Sequence, residues 1–226
     1  MRLPKVFADL IFLLFFSAIV TCTAAAQSSS NSRHGGKPLP HADRPLPAGS
    51  VSNGAYRNPD LGFSCKIPAG WVLRTEDMNS RDADQSDAIA NKDAASAGGQ
   101  VLLAAFSRPP QARAEDVNSS ILIATESAAA YPGLKDAAQY FGPLNEVTKA
   151  QGFAAVGDPY EFPVGAKTLP RGDFQKDVGS RVMRQSTLVM LSRGYVVSFT
   201  FIGGTEDEVE ELIGGLSFAP SRKSTK

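Results

Sequence analysis

Histidine is nearly absent from this 226-residue chain: its two copies, His34 and His41, lie in the first fifth, and none follows. A domain without histidine cannot run Ser-His-Asp or Cys-His catalysis, and it cannot build the usual His-bearing zinc sites. Cysteine is equally scarce, with only Cys22 and Cys65. Basic runs are missing too. Lys plus Arg and Asp plus Glu each number 23, so no electrostatic footprint for nucleic acid or an anionic membrane is present. One long apolar run exists, Leu10 to Val20, and nothing comparable follows it.

That run reads as an export signal. Arg2 and Lys5 precede it, it is too short to span a bilayer of roughly twenty helical residues, and Ala24 and Ala26 place small residues before a cut between Ala26 and Gln27. Residues 1–26 are therefore expected to be a signal peptide, leaving a periplasmic or extracellular chain without a transmembrane span. A rival reading acylates Cys22 and yields a membrane-anchored lipoprotein. Thr21 before it is bulkier than the residue usually found there, which favours cleavage at Ala26. After that cut Cys65 is the sole cysteine, so an internal disulfide is excluded. Losing Arg2, Lys5 and Asp9 leaves the charge close to balance.

Residues 27–54 read as a flexible Ser/Gly/Pro-rich linker with too little apolar surface to offset its ordering entropy. Its two histidines are too few for a dedicated metal site. Residues 55–219 form a single domain, and 220–226 a basic tail. Phe63, Cys65 and Ile67 alternate with Ser64 and Lys66 as in a half-buried strand, turned by Pro68-Ala69-Gly70 into Trp71-Val72-Leu73. Residues 76–100 are polar and Ala-rich and read as a mobile excursion. Val101–Phe106, Ile121–Ala124, Leu188–Leu191 and Tyr195–Ile202 are apolar on both faces, which implies a central sheet covered on both sides. Ser192-Arg193-Gly194 makes the last pair a hairpin.

Leu134, Ala137, Ala138, Phe141, Leu144 and Val147 recur at helical spacing and predict a four-turn helix kinked at Gly142-Pro143. Thr205-Glu206-Asp207-Glu208 is a capping box opening a second helix, with Val209, Leu212 and Ile213 as its buried stripe and Gly214-Gly215 as its end. Phe153–Val164 and Lys167–Phe174 read as strands around Gly165-Ala166. The fold class is α+β, a central, largely antiparallel sheet covered by helices on both faces.

Tyr56–Trp71 (YRNPDLGFSCKIPAGW) and Arg193–Phe201 (RGYVVSFTF), in this order of elements, resemble the PsbP-like fold group. That group includes lumenal photosystem II extrinsic subunits and exported bacterial proteins, the latter being what this chain resembles most. The resemblance spans Ala55 to Phe218. It implies an α/β/α sandwich and a role in binding proteins rather than catalysis. The histidine-dependent metal chemistry of the photosystem members does not carry over, because nothing after His41 supplies it.

Other motifs are weak carriers of chemistry. Cys65 sits on an inward face with no histidine to activate it. Asp82, Asp84 and Asp87 lack the central Gly and terminal Glu of an EF-hand loop. Three acids after Gly203-Gly204 would repel a phosphate. Arg171-Gly172-Asp173 spells an adhesion tripeptide but falls in an expected strand, and Asn118-Ser119-Ser120 is a formal glycosylation sequon. No catalytic, cofactor or metal residue is assigned. Trp71, the lone tryptophan, marks the first place to look for a partner surface. The expected role is a non-enzymatic binding or assembly domain of the bacterial envelope whose partner is another envelope protein. The alternative is a histidine-independent exported enzyme or small-ligand carrier.

Overall fold

The computed structural model describes residues 48–80, 99–109 and 116–219. The export segment with Cys22, the Ala26–Gln27 junction, both histidines, Asp82, Asp84, Asp87 and the basic tail lie outside the described residues. Two antiparallel sheets carry most of the rest, with few helices. The smaller sheet runs β1 (Ser50–Ser52), β2 (Ala55–Asn58), β3 (Phe63–Lys66) and β12 (Leu216–Phe218) in that order. The larger contains β4 (Val72–Leu73), β5 (Gln100–Phe106), β6 (Ser120–Ser127), β7 (Ala154–Ala155), β8 (Tyr160–Val164), β9 (Lys167–Val178), β10 (Arg181–Ser192) and β11 (Tyr195–Gly203). Its order is β4-β5-β6-β11-β10-β9-β7, with β8 also paired to β9. Among the described residues three α-helices accompany them, α1 (75–80), α2 (Phe141–Ala150) and α3 (Glu206–Gly214), with 3₁₀ turns at Ala128–Ala130 and Ala138–Tyr140.

Strand β1 lies inside the segment expected to be linker. It pairs with β2 through Asn53 (φ 50°) and Gly54 (φ 67°), the two left-handed residues of a tight hairpin turn. Gly49 N–H donates to Tyr56 Oη at 3.0 Å and fixes the entry to that strand. The β10–β11 hairpin turns on Arg193 (φ 52°) and Gly194 (φ 80°), where it was expected.

Strand alternation sorts the core into three apolar clusters. The first joins Tyr56, Phe63, Cys65, Leu216 and Phe218 of the smaller sheet to Leu103, Ile121, Ile123, Leu188, Phe199 and Phe201 of the larger, with Val209, Leu212 and Ile213 of α3. Phe63 meets Phe199 edge-on, ring centroids 4.9 Å apart. What covers this cluster is therefore a second sheet and one helix, not the helical layer expected from the fold resemblance. The reason is local: β3 and β12 present only every second side chain inward, enough to close a sheet-on-sheet core. The second cluster gathers Leu134, Tyr140, Phe141, Phe153, Phe174, Val189 and Val196; the third gathers Val101, Ala104, Phe106 and Leu122 with Met78 of α1.

The long kinked helix is not formed. Leu134–Ala137 is irregular, a 3₁₀ turn covers Ala138–Tyr140, and α2 starts at Phe141. Asp136 Oδ1 accepts from Gln139 N–H at 3.1 Å and caps that turn locally. Pro143 thus sits in the first turn of α2, where an N–H has no helical acceptor, and bends nothing. α3 begins as expected, with Thr205 Oγ1 accepting from Glu208 N–H at 3.2 Å. Glu208 reaches back to Gly204 N–H (2.9 Å) and also accepts from Ser119 Oγ (2.5 Å), tying α3 to the start of β6. α1 lies along β5: Asn79 both accepts from Val101 N–H and donates to Val101 O at 2.9 Å, and Thr75 Oγ1 accepts from Ala104 N–H at 3.0 Å.

Candidate functional site

The outward face of the smaller sheet is polar and built from small side chains. In register, Ser50, Arg57, Ser64 and Ser217 form one row, and Ser52, Ala55 and Lys66 the next. The Pro68-Ala69-Gly70 turn lifts Trp71 to one side of this floor, half-buried against the first core cluster. The C-terminal half of α3 rises on the other side with Glu211, Leu212 and Gly214-Gly215. Together they enclose a half-open groove of about 800 Å³. Ser64 and Ser217 share a hydrogen bond at 2.9 Å across the floor, and Arg57 Nη1 is held by Ser52 O and Oγ at 3.1 and 3.0 Å. Two cations, Arg57 and Lys66, and two carboxylates, Glu208 and Glu211, line the groove beside the indole. Arg57 is held by Ser52 and Glu208 by Gly204 and Ser119, whereas Lys66 and Glu211 have no ion-pair partner among the described residues.

Cys65 and Arg171 lie inside the fold. Cys65 is fully buried, and loss of solvation pushes its thiol up to about 12 from 9.0, which makes it an inert core residue. Arg171 is buried between two acids, Asp173 on its own strand β9 and Glu210 on α3. Nε contacts Asp173 Oδ1 at 2.8 Å and Nη2 contacts Glu210 Oε1 at 2.5 Å, with Ser186 Oγ 3.0 Å from Nη2. Its guanidinium also stacks over Phe162, 4.7 Å from the ring centre. Burial works against the Arg171 charge, but the carboxylates outweigh it and raise its pKa. Tyr160 Oη donates to Asp173 Oδ2 at 2.9 Å; desolvation, then that hydrogen bond, push the phenol up to about 12. The adhesion-like tripeptide is thus a strand segment whose arginine is internal. This cluster, drawn from β8, β9, β10 and α3, had no signal in the sequence because its members are scattered along it.

Glu126 forms a second enclosed cluster, accepting hydrogen bonds from Tyr131 Oη and from Tyr140 Oη (3.1 Å). Desolvation first and the Glu126 charge second raise both phenols. Asn118, the sequon residue, spends its amide on Ser107 Oγ and on Arg108 N–H and O at 3.0–3.2 Å, which occupies the atom a glycan needs. Among the described residues no three His, Cys, Asp or Glu side chains converge as a metal site. No helix among them is long and apolar enough to cross a membrane.

No protein-family profile matches the chain, and no curated relative does. Among solved structures it is similar to LpqN of Mycobacterium tuberculosis, a protein involved in cell envelope biogenesis. The identity is 12%, over 70% of this chain and 83% of that one, with a TM-score of 0.36. It is also similar to a protein of unknown function from Pseudomonas aeruginosa (16% identity, 45% and 68% covered, TM-score 0.32). A third likeness is to a protein from Bacteroides thetaiotaomicron (11% identity, 76% and 51% covered, TM-score 0.35).

Proposed function

We propose that this chain is an exported, non-enzymatic binding domain of the bacterial cell envelope, related in fold to the PsbP-like group, and that it meets a protein partner through the groove beside Trp71. The observation that carries the reading is the placing of a half-buried indole beside Lys66 and Glu211, two charges without an ion-pair partner among the described residues, on a floor of small hydroxyl side chains. An extended segment of another protein fits such a floor, with the indole as anchor and the two charges setting orientation. Export rests on Arg2, Lys5, the Leu10–Val20 run and the Ala24–Ala26 cleavage pattern. The chemistry of the enclosed side chains agrees with a binding role. Cys65 holds its proton, Arg171 is neutralised by two acids, and the Tyr131 and Tyr140 phenols are committed to Glu126.

The test is site-specific photo-crosslinking in the native envelope, with the reactive group at position 66 or 71 and a control at Lys149, which is exposed on α2 outside the groove. The expected result is one protein captured from both groove positions, absent from the control and lost on Glu211→Lys. Equal capture from the control position, or none from the groove, refutes the assignment. Sequencing the N-terminus of the native protein checks the Gln27 start against retention of Cys22.

A further inference from the structure

The second and third apolar clusters lie on one face of the larger sheet, yet they do not merge. The register aligns one row of that face across five strands: Gly172, Thr187, Thr200, Leu122 and Ala104, of which the last two belong to the third cluster. On β9, β10 and β11 the rows beside it carry bulkier groups, Phe174, Gln185 and Ile202 on one side and Val189 on the other, so Gly172, Thr187 and Thr200 form a short trough that ends at Leu122. The Phe141 ring closes one end of it, packed so tightly that a Cβ on Gly172 would lie 2.4 Å from Phe141 Cε1.

The trough is polar as well as shallow. Gln185, 1% exposed, donates from Nε2 to Thr187 Oγ1 at 3.3 Å, and Thr187 Oγ1 lies 3.1 Å from Thr200 Oγ1. Gln185 Oε1 is buried with no hydrogen-bond partner. The relay therefore has an open acceptor at one end. The Thr187–Thr200 contact uses one of the two hydroxyl hydrogens, and the other meets no acceptor among the described residues. Rotating the amide by half a turn only exchanges which kind of group is left open. A buried polar group in that state costs stability unless something bonds to it. No charged side chain stands in the three rows, which rules against an ionic occupant.

We propose that Gln185, Thr187 and Thr200 form an internal binding site for one small neutral guest that both donates and accepts a hydrogen bond. Such a guest is a water molecule, or a small alcohol or primary amide whose carbon body rests against Phe141 and Ile202. This site stands apart from the Trp71 groove and does not rest on it. The full chain, labelled with ¹⁵N, is examined by NMR for cross-relaxation between a long-lived water and the Gln185 side-chain amide. It is then titrated with 2-propanol and acetamide, using acetate and methylammonium as ionic controls.

A water cross-peak unaffected by either neutral probe identifies the guest as water. Saturable shifts at Gln185 with 2-propanol or acetamide, and none with the ions, identify a small-molecule site. Neither signal, or shifts with the ions alone, overturns the proposal. As a second measurement, Gln185→Met is expected to lower the melting temperature by about 2–4 °C, because it removes a satisfied bond. A rise of similar size would show that no guest bonds the amide oxygen and would overturn the proposal.

Discussion

Gly172→Ala is the sharpest test of how α2 is seated on the sheet. The added Cβ would lie 2.4 Å from Phe141 Cε1 and 2.8 Å from Cδ1, where carbon atoms normally rest about 3.5–4.0 Å apart. The ring must retreat by about 1 Å. It has no open side to retreat into, being 2% exposed and packed with Phe153, Phe174 and Val189. Overpacking of this kind costs about 1–3 kcal/mol, against a gain of about 0.4–1 kcal/mol from a stiffer unfolded chain. A net loss of about 1–2 kcal/mol is expected, read as a lower urea midpoint at unchanged slope. Gly142→Ala is the matched control: it lies in the first turn of α2 with nothing within 4 Å of the new Cβ, so it should stabilise by up to about 1 kcal/mol. Phe141→Ala removes the obstacle at a cost of its own of about 3–5 kcal/mol. In that background Gly172→Ala should become neutral or mildly stabilising. A Gly172→Ala protein as stable as the parent, or a penalty that persists without the Phe141 ring, would refute the packing argument.

Three further outcomes follow from the enclosed clusters. Cys65, fully buried with its thiol pushed up to about 12, should resist a water-soluble thiol reagent at pH 8 in the native protein and react at once in guanidinium. Arg171→Ala should destabilise by about 3 kcal/mol, because Asp173 is left without its counter-charge, whereas Glu210→Gln, on the half-exposed side of the cluster, should cost under about 1 kcal/mol; paired urea titrations compare them. Tyr131, Tyr140 and Cys65 are all raised in the folded state, so the unfolded chain releases their protons first as pH climbs. Their stabilising contribution is fully present below the ordinary thiol range near 9.0 and should drain away as pH rises through 9 and 10; urea midpoints from pH 8 to 11 that stay flat would contradict it.

The parts of the fold legible in the sequence are those where burial alone dictates residue type. Val101–Phe106, Ile121–Ala124 and the Leu188–Ile202 hairpin are apolar on both faces because both faces are packed. The stripe Val209, Leu212, Ile213 and the Thr205 cap were equally direct. Misreadings came where spacing and backbone part company. Leu134 and Phe141 do share a cluster, as their period suggests, but Asp136 and Gln139 take up the local hydrogen bonds, and Leu134 reaches the cluster from an irregular segment. Strand β1 was hidden by its serines, although Asn53-Gly54 was an available turn signal. At the groove, Trp71 was legible from the turn before it. Lys66 and Glu211 were not, since only the β3–β12 pairing brings α3 beside β3.

The two side chains of α1 that bond to β5 do more than hold a short helix in place. A bare sheet margin is a template onto which any unfolded neighbour can crystallise as one more strand. Asn79 and Thr75 occupy the backbone groups of Val101 and Ala104 that such a neighbour would need. In β5, a strand of seven residues with six of them buried, β4 covers only Ala105 and Phe106, and the two short polar side chains close the stretch of margin that β4 leaves open.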